Sequence, residues 1–442
     1  MSAVRAGADA IRARRVAGGV RFLVTGATGF LGAHVARALL GRGHRVVALV
    51  RHGRDAPAAE RFRRVLDWLA IGPAEAARAT FVAGDVAEER FGLSPEAWRA
   101  LAAGVDEVVH CAASTSFAER HRAGLQRVNV GGTAAAVACA AAGGAASFHL
   151  VSSAYAAGSV EGPVDGEWRE QAAFSNAYEE TKHRAEALAR AACAAAGIRL
   201  STYRPAIVYG DSATGRSLRF NALYYPVKML LFLRDLHLGA PGRATGAPGA
   251  SGIATLPGGR VRMPLRVETH PWGALNLVPV DHFERAFAVL LESAPEGGSF
   301  PIVSDEAVPV ERVIEYIRRR YRIEGLATAS AESFVVRPRT PLETLYEGYL
   351  APYRPYLHER RRFVAGAAGP HLAAAGARCP RFTFAAFDRA MRYAEEVAWG
   401  KHLFPAQGCR IHRATTVSAV DNEVAGGKRA SQPGRAQGDW EI

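Results

Sequence analysis

The first half of the chain alternates short apolar runs with longer segments whose apolar residues recur at helical spacing. Val20-Arg-Phe-Leu-Val-Thr25 ends at a glycine and reads as a strand, and a helix pattern follows from Leu31 to Leu40, stopped by Gly41 and Gly43. His44–Val50, Ala79–Ala83, Glu107–Cys111 and Ser147–Ser152 continue the strand series. Gly131–Ala142 and Tyr178–Ala196 read as helices, the second ended by Gly197 before a strand over Ile198–Tyr203. Strands that are apolar nearly throughout are buried on both faces. Alternated with helices of this length, they predict an α/β fold whose parallel sheet is covered on both sides.

After Arg204-Pro205 the rhythm changes. Gly239–Gly259 is rich in Gly, Ala and Pro, lacks periodicity and is expected to be a flexible surface insertion or lid. Leu275–Asp281 reads as a strand leading into a helix over His282–Glu292, Ser299–Val303 as a strand, and Val310–Tyr321 as a helix. Pro341–Phe363 carries Tyr346, Tyr349, Tyr353 and Tyr356, read here as packing in a helical lobe rather than as a substrate wall. Phe382–Trp399 is an amphipathic helix, and beyond Gly408 the chain turns polar. No apolar run reaches the roughly 18 to 20 residues that span a bilayer. The nearest, Tyr224–Leu233, contains Pro226 and Lys228 and is expected to form a buried helix or pocket wall, with weak peripheral membrane contact as the minor option.

Composition narrows the function classes. The 442 residues are 49% hydrophobic and carry a formal charge of +13, spread along the chain with clusters at Arg12–Arg15, Arg318–Arg322 and Arg360–Arg362. No nucleic-acid-binding module accompanies the charge, so it points to anionic cofactors, substrates or an acidic carrier and not to nucleic acid. Five scattered cysteines form no paired spacing, which argues against a disulfide framework or a metal site and for a reducing, cytoplasmic setting. The Arg- and Ala-rich start has no apolar core of a secretion signal.

Two motifs carry chemistry. Gly26, Gly29 and Gly32 follow the first strand and open the first helix, where glycines allow a tight turn and close approach of a pyrophosphate to the helix N-terminus. The second strand ends in Arg51, with no acid before Asp55, which suits a ribose 2′-phosphate and favours NADP over NAD. Asp85, after the third strand, is placed to meet the adenine edge, or to cap a helix or turn. Far downstream, Tyr178 and Lys182 stand four apart on one helix face. A neighbouring ammonium favours phenolate, so the pair is expected to act as an acid–base group with a lowered Tyr pKa.

With these motifs in order, the chain resembles the extended short-chain dehydrogenases/reductases. The resemblance rests on the glycine loop, Gly84-Asp85-Val86, His110-Cys-Ala-Ala113, Asn129-Val-Gly-Gly-Thr133, Val151-Ser-Ser-Ala-Tyr155, the Tyr178–Lys182 pair and Arg204-Pro205. It covers residues 20 to 305 and implies a Rossmann-type doubly wound parallel sheet with a smaller C-terminal α/β substrate lobe. The expected organisation is a disordered basic leader (1–18), the NAD(P)-binding domain (19–235), the substrate lobe (236–405, with 275–303 returning to the core) and a disordered tail (406–442). The family pattern implies Ser153 as the carbonyl-binding serine, 25 residues before Tyr178, with Ser152 pointing the other way along the strand. Tyr178 would exchange the proton and Lys182 would hold the nicotinamide ribose. Thr28, Phe30 and Leu31 join the three glycines in the implied cofactor cradle. Arg51, Asp85, Val86, Ala112 and Ala113 continue it, and Asn129, Pro205, Ile207 and Val208 complete it. Asn129 would shape the catalytic helix, or serve as a satisfied buried amide.

The flanks narrow the resemblance. His110-Cys-Ala-Ala-Ser-Thr-Ser-Phe117, Phe174-x-Asn-x-Tyr-Glu-x-Thr-Lys182 and Arg204-Pro-Ala-Ile-Val-Tyr-Gly210 look like the thioester-reductase and fatty acyl-CoA reductase branch. That branch implies an NADPH-dependent reductase of an acyl thioester, on CoA or a carrier, yielding aldehyde or alcohol. Phe220–Leu233 and Gly239–Gly259 would then form an acyl channel and its lid, and Cys111 need not be a nucleophile. Residues 306–442 match no tail of that branch. The alternatives are a dehydrogenase or epimerase of the same fold, acting on a hydrophobic ketone or a sugar nucleotide, and a non-catalytic NAD(P)-binding regulator. A homodimer is compatible with all three.

Overall fold

The computed structural model describes residue 13 and residues 19–160, 162–170, 172–239 and 251–404. The expected leader and tail, and most of the Gly239–Gly259 insertion, lie outside the described residues.

Seven parallel strands form the central sheet: β1 (Arg21–Thr25), β2 (Arg45–Val50), β3 (Ala79–Ala83), β4 (Glu107–His110), β5 (Ser147–Val151), β6 (Arg199–Pro205) and β9 (Gly298–Ile302). Their spatial order is 3-2-1-4-5-6-9, with the reversal between β1 and β4 where α/β sheets bind ligands at their carboxyl ends. At the centre Leu23 pairs with Val47 on one side and Val108 on the other.

Side-chain alternation divides the strands between two cores. Phe22, Val24, Val46, Ala48 and Val50 pack with Val35, Leu39, Phe283 and Phe287. Leu23, Val47 and Leu49 point the other way, to Ala136, Cys139, Ala140 and Cys193. The first core is covered by helices α1 (Phe30–Gly41), α2 (Ala58–Trp68) and α7 (Val280–Ser293); the second by α3 (Pro95–Ala103), α4 (Gly132–Gly143) and α5 (Ala177–Ala195). Glu284 on α7 accepts from Arg37 and bonds His34 Nδ1 at 2.8 Å, both on α1, joining the two helices.

The C-terminal lobe has its own core. Helices α6 (Tyr224–Leu238), α8 (Val310–Tyr321), α9 (Pro341–Leu350) and α10 (Phe384–Glu396) pack with a small sheet of β7 (Ala254–Leu256), β8 (Arg260–Glu268) and β10 (Ile323–Ala329). The last three residues of the expected insertion before Pro257 thus form an edge strand, paired antiparallel to β8 from Leu256 to Ala254. In β8 the burial alternates residue by residue, with Met263 and Leu265 fully inside. The expected strand over Leu275–Asp281 is broken at Asn276, whose side chain bonds both the N–H and the C=O of Ser304, at 2.8 Å each. Two short strands, Ala274–Leu275 and Leu277–Pro279, flank the break.

Candidate active site

β1 turns into α1 through the glycine loop at the carboxyl edge of the sheet. Gly26 has φ +72°, and a Cβ there would lie 2.7 Å from the backbone N of Ala112. A Cβ on Gly32 would meet the carbonyl oxygen of Gly26 at 2.2 Å, so strand and helix reach this separation only with glycine. The helix begins with no side-chain cap and no acid in its first turn, which leaves its positive end to the loop. These features fit a dinucleotide pyrophosphate.

Helix α5, which carries Tyr178 and Lys182, is placed by four sets of bonds. Asn176 caps it by accepting from the Glu179 N–H at 3.0 Å, and its amide donates to the Tyr356 hydroxyl at 2.9 Å. Glu179 pairs with Arg361 at 3.3 Å, and Arg361 pairs with Glu359 at 2.6 Å, all buried. Lys182 Nζ donates to the Val151 carbonyl at the end of β5, at 2.8 Å. Arg204 on β6 holds Glu186 at 3.0 Å, both nearly fully buried. Single partners removed from such buried pairs leave an unpaired charge and cost about 3–5 kcal/mol.

One cavity of about 870 Å³ joins these parts. Gly26, Thr28, Gly29, Phe30, Leu31, Gly32, Arg51, Asp85, Val86, Ala112 and Ala113 line one end. Ser153, Tyr178, Lys182, Pro205, Ile207 and Val208 line the same cavity. Asn129 is the exception. It is buried outside the lining, with its carbonyl oxygen accepting from the Ser114 N–H at 2.8 Å and its amide donating to the Ser114 carbonyl at 3.1 Å and Thr181 Oγ1 at 3.0 Å. The amide is bonded inside the protein, so it orders the Ser114 loop against α5, the satisfied-amide alternative of the two expected.

Electrostatics at the pair differ from the expectation. Burial pushes the Tyr178 phenol up to about 12, against a hydrogen bond with Ser153 that favours the phenolate. Burial also brings Lys182 down to about 8, against the attraction of Glu186. Dense surrounding protein disfavours both charged forms, although Tyr178 itself stays half exposed toward the cavity. At neutral pH Tyr178 is a protonated phenol, a proton donor, while the Lys182 ammonium one turn along α5 is held at the Val151 carbonyl. Cys111 also lines the cavity, and burial pushes its thiol up to about 12, which removes thiolate chemistry near neutrality.

Two further expectations change. β5 ends at Val151, so strand alternation stops before Ser152, and both serines are buried and line the cavity. Tyr346, Tyr353 and Tyr356 are buried but also form cavity wall, with Phe117 set 5.4 Å from Tyr178, 5.3 Å from Tyr353 and 5.2 Å from Tyr356, ring to ring. Of the expected acyl channel, Asn221, Ala222, Leu223, Pro226 and Val227 line the cavity. The apolar wall continues through Val267, Val310, Val313, Ile314, Ile317 and Leu350, residues that no motif marks.

Arg61 on α2 was equally invisible to motif reading. It lines the cavity, donates to the Arg51 carbonyl, and reaches Thr28 Oγ1 at 3.4 Å. Its pKa is lowered by burial and by the charges of Arg51 and Arg219, so positive charge is concentrated at this part of the cavity wall. The available signal was an arginine ten residues after the first, in the first turn of the helix that follows β2. Among the described residues no group of three or more His, Cys, Asp or Glu could hold a metal, and no helix is long and apolar enough to cross a membrane.

Comparison with known proteins agrees with this geometry. A family model described as "Male sterility protein" matches residues 24–286. A linear gramicidin synthase from Brevibacillus parabrevis is 35% identical over 201 residues, which is 44% of this chain and 4% of that protein. The L-2-aminoadipate reductase of Penicillium chrysogenum, in its large subunit, is 34% identical over 215 residues, 43% of this chain and 15% of that one. The chain thus corresponds to a small part of these relatives. Among solved structures, the terminal R domain of the myxalamid PKS-NRPS pathway superposes with a TM-score of 0.67 at 22% identity, covering 86% of this chain and 91% of that one. A thiolation-reductase di-domain from an archaeal non-ribosomal peptide synthetase gives 0.62 at 14%, covering 89% and 81%. UDP-glucuronic acid 4-epimerase from Bacillus cereus gives 0.58 at 15%, covering 86% and 98%. These likenesses establish the fold.

Proposed function

This chain belongs to the Male sterility protein family, a branch of the extended short-chain dehydrogenases/reductases, and from that premise we propose that it reduces an acyl thioester with NADPH to an aldehyde or alcohol. The observation that carries the reading is a single cavity in which the glycine loop, the Ser153–Tyr178–Lys182 group and an apolar arm follow one another. The aminoadipate reductase and the reductase domains among its relatives favour a thioester over a ketone or sugar nucleotide. The substrate carrier is either CoA or a phosphopantetheine-bearing protein.

A nicotinamide dinucleotide bound along Gly26–Gly32 supplies the hydride. Arg51 and Arg61 are the partners for a 2′-phosphate, which supports NADP over NAD. Ser153 and Tyr178 bind the thioester oxygen, and Tyr178 gives it a proton as negative charge develops there. Lys182 holds positive charge behind Tyr178 and orients the ribose. When the hemithioacetal collapses, the C–S bond breaks, the thiolate leaves and takes a proton, and the hydroxyl proton returns to Tyr178. The aromatic wall of Phe117, Tyr353 and Tyr356 limits water at the reacting carbon.

The test follows loss of NADPH absorbance with acyl-CoAs, acyl-pantetheines, ketones and aldehydes. Turnover of thioesters is expected, and oxidation by ketones alone rejects the reading. Tyr178→Phe should lower kcat at least a hundredfold and leave NADPH binding within about twofold; unchanged turnover removes Tyr178 from the mechanism.

A further inference from the structure

The segment between the short strand Ile207–Tyr209 and helix α6 is fastened to α2 along its way. Arg216 donates to the Trp68 carbonyl at the C-terminal end of α2, and its guanidinium stands 4.5 Å from the Trp68 ring centre. Leu218 is buried in one small cluster with Val65, Leu69 and Ala33. Arg61 lies one turn before Val65 on the same face of α2. The residue after Leu218 is Arg219, which this packing brings alongside Arg61.

Arg219 lines the cavity together with Arg51 and Arg61. Arg61 is held down in pKa by burial, and the charges of Arg51 and Arg219 lower it further. Arg61 also donates to the Arg51 carbonyl, which ties α2 to the end of β2. Three guanidinium groups from three separate stretches of chain therefore concentrate charge at one part of the wall. The backbone that carries Arg219 is set on both sides. Ser217, fully buried, donates its hydroxyl to the Arg219 carbonyl at 2.7 Å and accepts from the Arg219 N–H at 3.3 Å. Two residues on, the Asn221 amide reaches Thr115 Oγ1 at 3.4 Å, and Ala222 is held at φ +45°, a region that side-chain-bearing residues seldom occupy. Asn221, Ala222 and Leu223 then continue the wall of the same cavity.

Like charges brought together repel, and a phosphate monoester offsets that repulsion, with close to two negative charges and three oxygens open to several guanidinium forks. A ribose hydroxyl offers neither. We infer that Arg219 is a third arginine for the 2′-phosphate of NADP, supplied by the segment that goes on to form the cavity wall at Asn221–Leu223, and a determinant of NADP over NAD. No motif marks it, since it stands 168 residues after Arg51 and meets Arg61 only through the packing of Leu218. The assignment rests on the NADP reading of the same site and is independent of the acyl substrate.

The test is calorimetric titration of NADP⁺ and NAD⁺ into wild type, Arg219→Gln and Arg61→Gln, with no substrate present and no turnover. Arg219→Gln should weaken NADP⁺ about tenfold, the size of one charge-assisted hydrogen bond, and leave NAD⁺ within about twofold. An unchanged NADP⁺ affinity overturns the inference. Equal weakening of both cofactors overturns it too, because Arg219 would then serve the pyrophosphate. Titration of 2′,5′-ADP and 3′,5′-ADP separates the phosphate of NADP from that of CoA. The loss should appear with 2′,5′-ADP, and a loss confined to 3′,5′-ADP overturns the inference. Failure of the NADP reading looks different: wild type would bind the two cofactors equally, which rejects all three arginines as 2′-phosphate ligands. A preference that falls in Arg61→Gln and survives in Arg219→Gln rejects Arg219 alone. Arg219 is exposed, so its replacement leaves the packing around Leu218 in place, and an unchanged melting temperature checks this.

Discussion

Lys182 carries a cost that its proposed role at the nicotinamide ribose would explain. Its ammonium is 4% exposed, and burial lowers its pKa to about 8 from an ordinary 10.5. Between those values the unfolded chain binds more protons than the folded one, so this residue makes stability rise with pH from about 8 to 10.5 and penalises the fold below that window. Lys182→Met should therefore narrow its stability difference from wild type, or reverse it in the variant's favour, as pH falls from 10.5 to 7.5, by about 2–3 kcal/mol in denaturant titrations. A pH-independent difference would mean that Lys182 is not strained by burial. In the intact enzyme, kcat/KM for reduction should decline as pH rises through about 8, where the lysine charge is lost. Tyr178, pushed up to about 12, stays a donor across that range. At the other end of the cavity, Arg51→Ala and Arg61→Ala should each weaken NADPH binding about tenfold while leaving NADH binding unchanged, measured by fluorescence titration. Equal effects on the two cofactors would move these arginines away from the 2′-phosphate.

At the scale of elements, the catalytic helix owes its position to its first turn and to a distant segment. Asn176 does two things at once: it caps α5 and holds Tyr356 at 2.9 Å. Asn176→Ala should cost about 1–2 kcal/mol of stability from the lost cap and bond. It should also raise KM for thioester more than for NADPH, because the Tyr356 wall belongs to the substrate end. A loss of stability with both KM values unchanged would make Asn176 a cap and nothing more. This helix was legible in the sequence from its spacing and from Gly197. The Arg361–Glu179 clamp was not, because its partners stand 182 residues apart and neither belongs to a local pattern.

For the whole molecule, the proposed reading makes the apolar arm the part that sets what is reduced. Burying each methylene is worth about 0.8 kcal/mol, so two added methylenes should lower KM roughly tenfold until the arm is full. Ile314→Trp, on the α8 face toward the cavity, should shift the preferred acyl chain to shorter lengths in a competition assay, with NADPH affinity unchanged. An unaltered chain-length profile would place the acyl group elsewhere. The seven strands of the sheet and both motif groups could be read from one sequence, since glycine turns, helical spacing and apolar runs are local signals. The arm could not. Val267, Val313, Ile314 and Ile317 look like ordinary core positions, and part of their side chains do pack in the lobe's core.

The sequence by itself determined the parallel α/β core and the glycine turn that fits a pyrophosphate, and it picked out Ser153, Tyr178 and Lys182, which line one cavity with that turn. Backbone geometry and short-range spacing demand particular residues at those points, so the residues announce themselves. Only the tertiary structure decided that Asn129 bonds the Ser114 loop to α5, that Ser152 is buried beside Ser153 at the end of β5, that Arg61 joins Arg51, and that burial raises the Tyr178 pKa. Each of these depends on which groups surround a side chain in space. Burial and pairing across tens to hundreds of residues set those surroundings, and no local pattern records them.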